Sequence, residues 1–287
     1  MPARIRPFTH RFVDSRLMRA VALLAALATN GVAQAAGSIC AAHSPAHRVA
    51  LVELYSSEGC NSCPPADRWL GQWKDSGASR SIVPLALHVD YWNSLGWTDR
   101  FSQHRFTERQ QDLTHLAGGH TIYTPEVFVS GREMRDWSQP ESFEDRIHQV
   151  SAEPAQADVA LELTAPAQGA TSFSVDARFS AKAVAGNPLN AYVAVYENAL
   201  NSQVRAGENS GATLHHERVV RQWIGPVPLA AGSAHIHREI ALDATDATDA
   251  INAATSPAQP GKFGVVGFVE NAATGEVLQV AELATCH

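Results

Sequence analysis

The sequence predicts a leader and two domains: an α/β domain over residues 36–153, then an all-β, antiparallel, sandwich-like domain over residues 154–287. Three observations carry this expectation. Between 36 and 153, apolar runs of strand length alternate with segments whose apolar residues recur every three or four positions. From 154 onward, seven short strand-like segments follow one another, separated by Gly, Asn or Pro, with little helical pattern. Ahead of both, residues 1–35 have the layout of a secretory signal peptide.

In that leader, Arg11, Arg16 and Arg19 precede the apolar run from Val21 to Ala28, and Ala33-Gln34-Ala35 offers a small-residue cleavage site. Cleavage near Ala35 predicts a periplasmic or secreted protein. Met18, directly before Arg19, would make a more typical translation start than Met1. The run is too short for a permanent membrane helix, and no later stretch approaches the roughly 20 apolar residues that one needs, so no stable membrane insertion is expected.

A composition of 45% hydrophobic and 18% charged residues is ordinary globular material. Removing the leader takes away five Arg and one Asp, which makes the net charge of −7 more negative. Lysine occurs only at 74, 182 and 262. An acidic chain without a basic run is a poor match for nucleic acid or an anionic membrane, which both demand clustered cations.

The elements follow in order. Arg48 to Tyr55 (R-V-A-L-V-E-L-Y), bounded by Pro45 and Ser56-Ser57, reads as a buried strand. Gly59 breaks it, and Ala66, Trp69, Leu70 and Trp73 mark a helix whose first turn tolerates Pro64 and Pro65 because its N–H groups have no intrahelical partner. Ser81 to Val89 predicts a second strand, followed by Tyr91-Trp92 and Trp97. Residues 99–117 predict a helix with Phe101, Arg105, Phe106, Arg109 and Leu113 at helical intervals, ended by Gly118-Gly119. Val127-Phe128-Val129 is a short strand, and a helix covers Pro140 to Val150. The right-handed crossover rule makes the first two strands parallel neighbours. Beyond residue 155, the strand segments begin at Val159, Phe173, Tyr192, Arg218, His235, Phe263 and Val277, and residues 243–260, rich in Ala, Thr, Asp and Pro, read as a loop.

Four cysteines in an exported chain allow three pairings. Cys60 and Cys63 are locally in reach of each other. A Cys40–Cys286 bridge would fasten the two ends of the mature chain, stabilising it by at most about 5 kcal/mol on chain-entropy grounds; two free thiols or an intermolecular bond are the alternatives. The pair Cys60-Asn61-Ser62-Cys63 sits between a strand and a helix, where free N–H groups and the positive end of the helix dipole stabilise a thiolate. Cys60 is then the nucleophile, with a pKa in the range of about 3.5–7.5 known for such pairs, and Cys63 is the resolving thiol. A structural zinc half-site would need a second ligand pair at short spacing, and the sequence has none. A purely structural disulfide closing so short a loop would remove little chain entropy.

Three blocks, V-A-L-V-E-L-Y leading into S-S-E-G-C-N-S-C-P-P-A-D, H-V-D-Y-W-N-S-L-G-W-T-D at 88–99, and Y-T-P-E-V-F-V-S-G at 123–131, together resemble the exported family catalogued as domain of unknown function 1223. That family is similar to thioredoxins in fold, so the resemblance implies a thioredoxin-like α/β domain and a redox reaction class, without a substrate. It also implies that Thr124-Pro125 is a cis bond packed against the cysteine pair, with Thr124 presenting backbone groups to an incoming peptide or thiol. Glu53 is the candidate proton relay for Cys63. Thioredoxins place an Asp six positions before the first cysteine, whereas Glu53 stands seven before, so the role requires a bulge in the strand.

Other polar residues have bland and sharp readings. His88 either packs in the core or holds a proton or a metal. Glu58 reads as solvated, and Arg105 and Arg109 as a salt-bridged surface or as a cleft lining. His215-His216 read as exposed, and His235 and His237 are exposed or share one strand face as ligands. The leading function is an exported thiol–disulfide oxidoreductase, needing no cofactor, acting on a protein or small-molecule thiol or disulfide. The alternatives are a copper-handling protein using Cys60, Cys63 and His88, since thiolates suit Cu(I), and a non-enzymatic binding module. Neither the redox direction nor the partner is legible.

Overall fold

The structure, a computed structural model, describes residues 39–76, 81–164, 172–182, 188–241 and 263–284. The expected leader, the loop at 243–260 and Cys286 lie outside the described residues. In chain order the strands are β1 (Ile39–His43), β2 (Ala50–Ser56), β3 (Ile82–His88), β4 (Glu126–Val129), β5 (Arg132–Glu133), β6 (Ala157–Thr164), β7 (Ser172–Ala181), β8 (Leu189–Glu197), β9 (Leu200–Gln203), β10 (Thr213–His216), β11 (Val219–Pro228), β12 (Ser233–Ala241), β13 (Phe263–Asn271) and β14 (Val277–Ala284). The α-helices among the described residues are α1 (Cys63–Gly71), α2 (His104–Leu116) and α3 (Pro140–Ser151).

The architecture corrects the expected fold class. The chain is mostly β, and it does not form a thioredoxin-like α/β domain followed by a sandwich. Instead, one eight-stranded mixed sheet, ordered β14-β13-β8-β11-β3-β2-β4-β5, takes strands from both sides of residue 154. β2 and β3 are parallel in unbroken register, Ala50 opposite Ile82 through Ser56 opposite His88. The join to the later strands is slender: β11 meets β3 in parallel at Val219 and Ala86. A four-stranded antiparallel sheet, β1-β6-β7-β12, and the hairpin of β9 and β10 complete the fold.

Burial along the strands explains this arrangement. β13 is buried at every position, with Val266 and Phe268 in one core and Val265 and Val269 in another. A strand covered on both faces belongs inside a sheet, and its apolar residues then run on without alternation. β6 alternates buried and exposed positions, because only one face meets the core. One face of the large sheet carries Leu51, Leu85, Phe128, Val266 and Val280, with Phe106 and Leu113 of α2. The opposite face packs against α1 and α3 around β2 and β4, and against the four-stranded sheet around β8 and β13. The large sheet curls enough for its two ends to meet, the Val277 N–H donating to Ser130 O at 3.4 Å.

Candidate redox site

β2 ends at Ser56, and the chain turns tightly before α1. The Cys60 N–H donates to Ser57 O at 3.1 Å, and the Cys63 N–H to Cys60 O at 3.2 Å. Cys63 opens α1, with Pro64 and Pro65 in its first turn, where a missing N–H costs nothing. Cys60 and Cys63 are joined in a disulfide, with Cα atoms 5.5 Å apart. Both are buried, at 1% and 0% exposure, so no sulfur stands open to solvent.

The Thr124-Pro125 bond is cis, and Cys60 Sγ lies 3.8 Å from Thr124 O. Trp92 Nε1 donates to Thr124 Oγ1 at 2.8 Å, which fixes this loop from the β3 side. Cys60, Cys63, Thr124 and Pro125 are therefore brought together. The loop joining β9 to β10 closes over the same turn. Asn209 Nδ2 donates to both Glu58 O and Cys60 O at 2.9 Å, and the Asn61 N–H donates to Glu208 Oε2 at 3.1 Å.

Glu53 is not brought there. β2 pairs with β3 without a register shift, so the bulge that a relay role requires is missing, and the side chain faces α2. There Arg109 Nε and NH2 donate to its two oxygens at 2.7 and 3.1 Å, and NH2 also reaches Glu270 Oε2 at 2.8 Å. Arg109 is accordingly buried rather than on a salt-bridged surface. Of the expected bridge at the chain ends, Cys40 is disulfide-bonded, and its sulfur lies 4.0 Å from Ala284 O, two residues before Cys286.

On the α1 face, the structure assembles a polar cluster that the sequence reading missed. His216 lies between Glu58 Oε1 and Asp67 Oδ2, each 3.4 Å from a ring nitrogen. Ser56 Oγ donates to Asp67 Oδ1 at 2.9 Å, and Trp97 Nε1 to Glu58 Oε2 at 2.7 Å. His88 Nδ1 and Asp99 Oδ2 are 2.7 Å apart, and the His88 ring meets that of His216 edge-on at 5.0 Å. Glu58 and His216, expected in solvent, are buried. Burial alone would lower the His216 pKa, but the Asp67 and Glu58 carboxylates facing its two ring nitrogens outweigh it and push it up to about 10. Asp99 is held below the usual carboxylate range: burial opposes this, but the charge and hydrogen bond of His88 prevail. His235 and His237 are exposed and share Asp176, at 2.7 and 3.5 Å. Among the described residues, no group of three or more His, Cys, Asp or Glu is arranged to hold a metal ion; His88 Nδ1 is bonded to Asp99, while its Nε2 is buried without a hydrogen-bond partner.

Glu126 directly follows Pro125 and is buried, its Oε2 accepting from Gln110 Nε2 at 2.5 Å. Burial pushes its pKa up to about 7. A carboxyl raised on folding favours the protein fully below its unfolded pKa, and that contribution disappears as pH rises through about 7. Replacing Glu126 with Gln is therefore expected to reduce the stability loss between pH 5 and 8 by about 1–2 kcal/mol, allowing for partial solvation, as read from urea midpoints across that range.

Fold and site together define a β-rich protein carrying a buried disulfide at a strand-to-helix turn. The family described as "Protein of unknown function (DUF1223)" matches residues 51–255, and the chain belongs to it. No curated protein matches. Protein AGR_C_4864 of Agrobacterium tumefaciens is similar in structure, at 22% identity and a TM-score of 0.54, covering 82% of this chain and 94% of its own. HBP35 of Porphyromonas gingivalis is similar at 17% identity and a TM-score of 0.61, covering 84% and 76%. At such identities the likeness is one of fold.

Proposed function

We propose that this protein is an exported thiol–disulfide oxidoreductase whose Cys60–Cys63 pair cycles between disulfide and dithiol in the periplasm or outside the cell. The observation that carries the reading is the disulfide at the N-terminus of α1 beside the cis Thr124-Pro125 bond. A helix N-terminus stabilises a thiolate on Cys60 once the bond opens, which makes this pair a better reactant than an ordinary disulfide. The substrate is a protein or small-molecule thiol or disulfide, and the chemistry draws on no cofactor. Because Cys60 is covered, exchange with a partner sulfur requires the Asn209 loop or the Thr124 loop to move. The copper reading wants two free thiolates, and its support is weaker: the cysteines are joined in a disulfide.

A Cys63→Ser variant produced in an exporting host is expected to accumulate mixed disulfides through Cys60, visible as adducts lost on reduction, whereas Cys60→Ser accumulates none. Neither variant can form the Cys60–Cys63 bond, so the dithiothreitol-dependent release of two thiols expected of the wild type at this pair should be absent from both. Wild-type protein that stays oxidised in excess dithiothreitol while folded, with no trapped adduct, would overturn the reading.

A further inference from the structure

Opening the disulfide creates a thiolate on Cys63, whose side chain is fully buried. Leaving a charge there unneutralised costs several kcal/mol, so a proton has to come from a neighbour. Glu53 is on the opposite face with Arg109, and Glu126 is on the α2 face with Gln110. Asp67 is placed differently. It stands four residues after Cys63 on α1, where side chains share a face with Cβ atoms about 5–6 Å apart, and it is buried as Cys63 is. Its Oδ1 accepts from Ser56, and its Oδ2 faces His216. Both ring nitrogens of His216 are buried and make no hydrogen bond of normal length. An imidazole loosely held between two carboxylates can release and regain a proton without breaking a tight hydrogen bond.

Building on the redox reading above, we infer that Asp67, backed by His216 and Glu58, hands Cys63 its proton when the disulfide opens and takes it back when the disulfide closes. A partner thiolate attacks Cys60 Sγ. The partner–Cys60 bond forms as the Cys60–Cys63 bond breaks, and the electron pair remains on Cys63 Sγ, which takes a proton passed from the His216 imidazolium through Asp67. In the reverse direction Cys63 returns the proton, attacks Cys60 Sγ in the mixed disulfide and expels the partner as its thiolate. Asp67 is the transfer group; His216 and Glu58 are positioning residues. The other charged groups around this cluster are already engaged. His88 is paired with Asp99, Glu217 with Lys74 and Arg218 with Glu282, while Arg100 and Arg221 lie over the Phe101 ring that packs on His216.

The test is the rate at which dithiothreitol reduces the full oxidised chain from pH 5.5 to 9, followed by tryptophan fluorescence and divided by the thiolate fraction of the reductant. Wild type should give a flat profile, because the proton comes from within. Asp67→Asn and His216→Gln should be slower by roughly tenfold or more at pH 8 and recover as pH falls, because solvent must now supply the proton. Asp67→Glu, which keeps the carboxylate, should restore the flat profile, and Glu53→Gln, on the other face, should leave it flat. Equal slowing at every pH, or no slowing in His216→Gln, overturns the inference; should Asp67→Asn fail to fold, the His216→Gln and Asp67→Glu profiles decide. Wild-type protein inert to dithiothreitol would instead overturn the redox reading itself.

Discussion

Replacing Arg109 with Met is expected to destabilise the protein by about 3–5 kcal/mol at pH 7, because it leaves two buried carboxylates facing each other without a cation. Glu53 is fully buried, Glu270 nearly so, and Arg109 bonds to both. The guanidinium also lies over the rings of Trp223, Tyr192 and Phe268, at 4.9, 5.3 and 5.4 Å, so methionine keeps some packing but none of the charge. Burial already holds the Glu270 carboxyl above the usual range, although Arg109 pulls it down. Without Arg109 it rises further, and a raised carboxyl contributes stability below its unfolded pKa that is lost as pH climbs. The variant's deficit should therefore be smallest near pH 4 and largest above pH 7. Adding Glu270→Gln and Glu53→Gln should recover much of it, since the cost lies in unpaired charge and not in volume. Urea denaturation at several pH values measures all of this, and a loss under about 1 kcal/mol at pH 7 would refute the account.

The same cluster shows what sequence patterning reveals and what it hides. β2, β3, β4, α1 and α2 lie close to their expected spans because each is defined by a local period of apolar residues. Residues 99–103, expected in α2, fall outside it, since Asp99 turns its oxygens to the backbone N–H groups of Glu58 and Phe101. The strand order is a different kind of information. That β8 and β13 belong to the sheet of β2 and β3 rests on the brief meeting of β11 with β3, which no local pattern announces. Phe263-Gly-Val-Val-Gly-Phe-Val carries a local hint, since its apolar residues run on without alternating, as befits a strand covered on both faces.

For the site, the cysteine spacing was legible because strand, turn and helix follow one another in the chain, whereas the cis Thr124-Pro125 bond came from the family resemblance, since X–Pro bonds are trans by default. Glu53 shows the limit of spacing alone, since in a regular strand one residue of offset exchanges the α1 face for the α2 face. Glu58, Asp67 and His216 were invisible for a further reason. The hairpin that brings His216 to the cysteine turn is remote in sequence, its Asn209 bonding to Glu58 across 151 residues. Two adjacent histidines in a strand cannot reveal which one faces inward until the neighbouring element is known.

Gly131→Ala is expected to cost about 3 kcal/mol or more, and it probes directly the closure of the large sheet. Gly131 has φ of +81°, so any side chain carries the left-handed penalty of about 1–2 kcal/mol. A Cβ here would also run into the backbone carbonyl of Gly275, in the turn between β13 and β14, which cannot swing aside as a side-chain tip can. Close by, Arg48 NH2 donates to Val277 O at 2.6 Å and its NH1 to Glu276 Oε1 at 3.0 Å, so displacing that turn also disturbs a buried arginine. Gly118 supplies the control. It has the same φ of +81° but open space where a Cβ would sit, and Gly118→Ala should cost only about 1 kcal/mol. The difference between the two variants, read from urea midpoints, isolates the contact between turns of the early and late strands. Equal losses would mean that the close approach of Gly131 to Gly275 adds nothing, and that other contacts, such as those of Arg48 and Gln279, hold the two ends of the sheet.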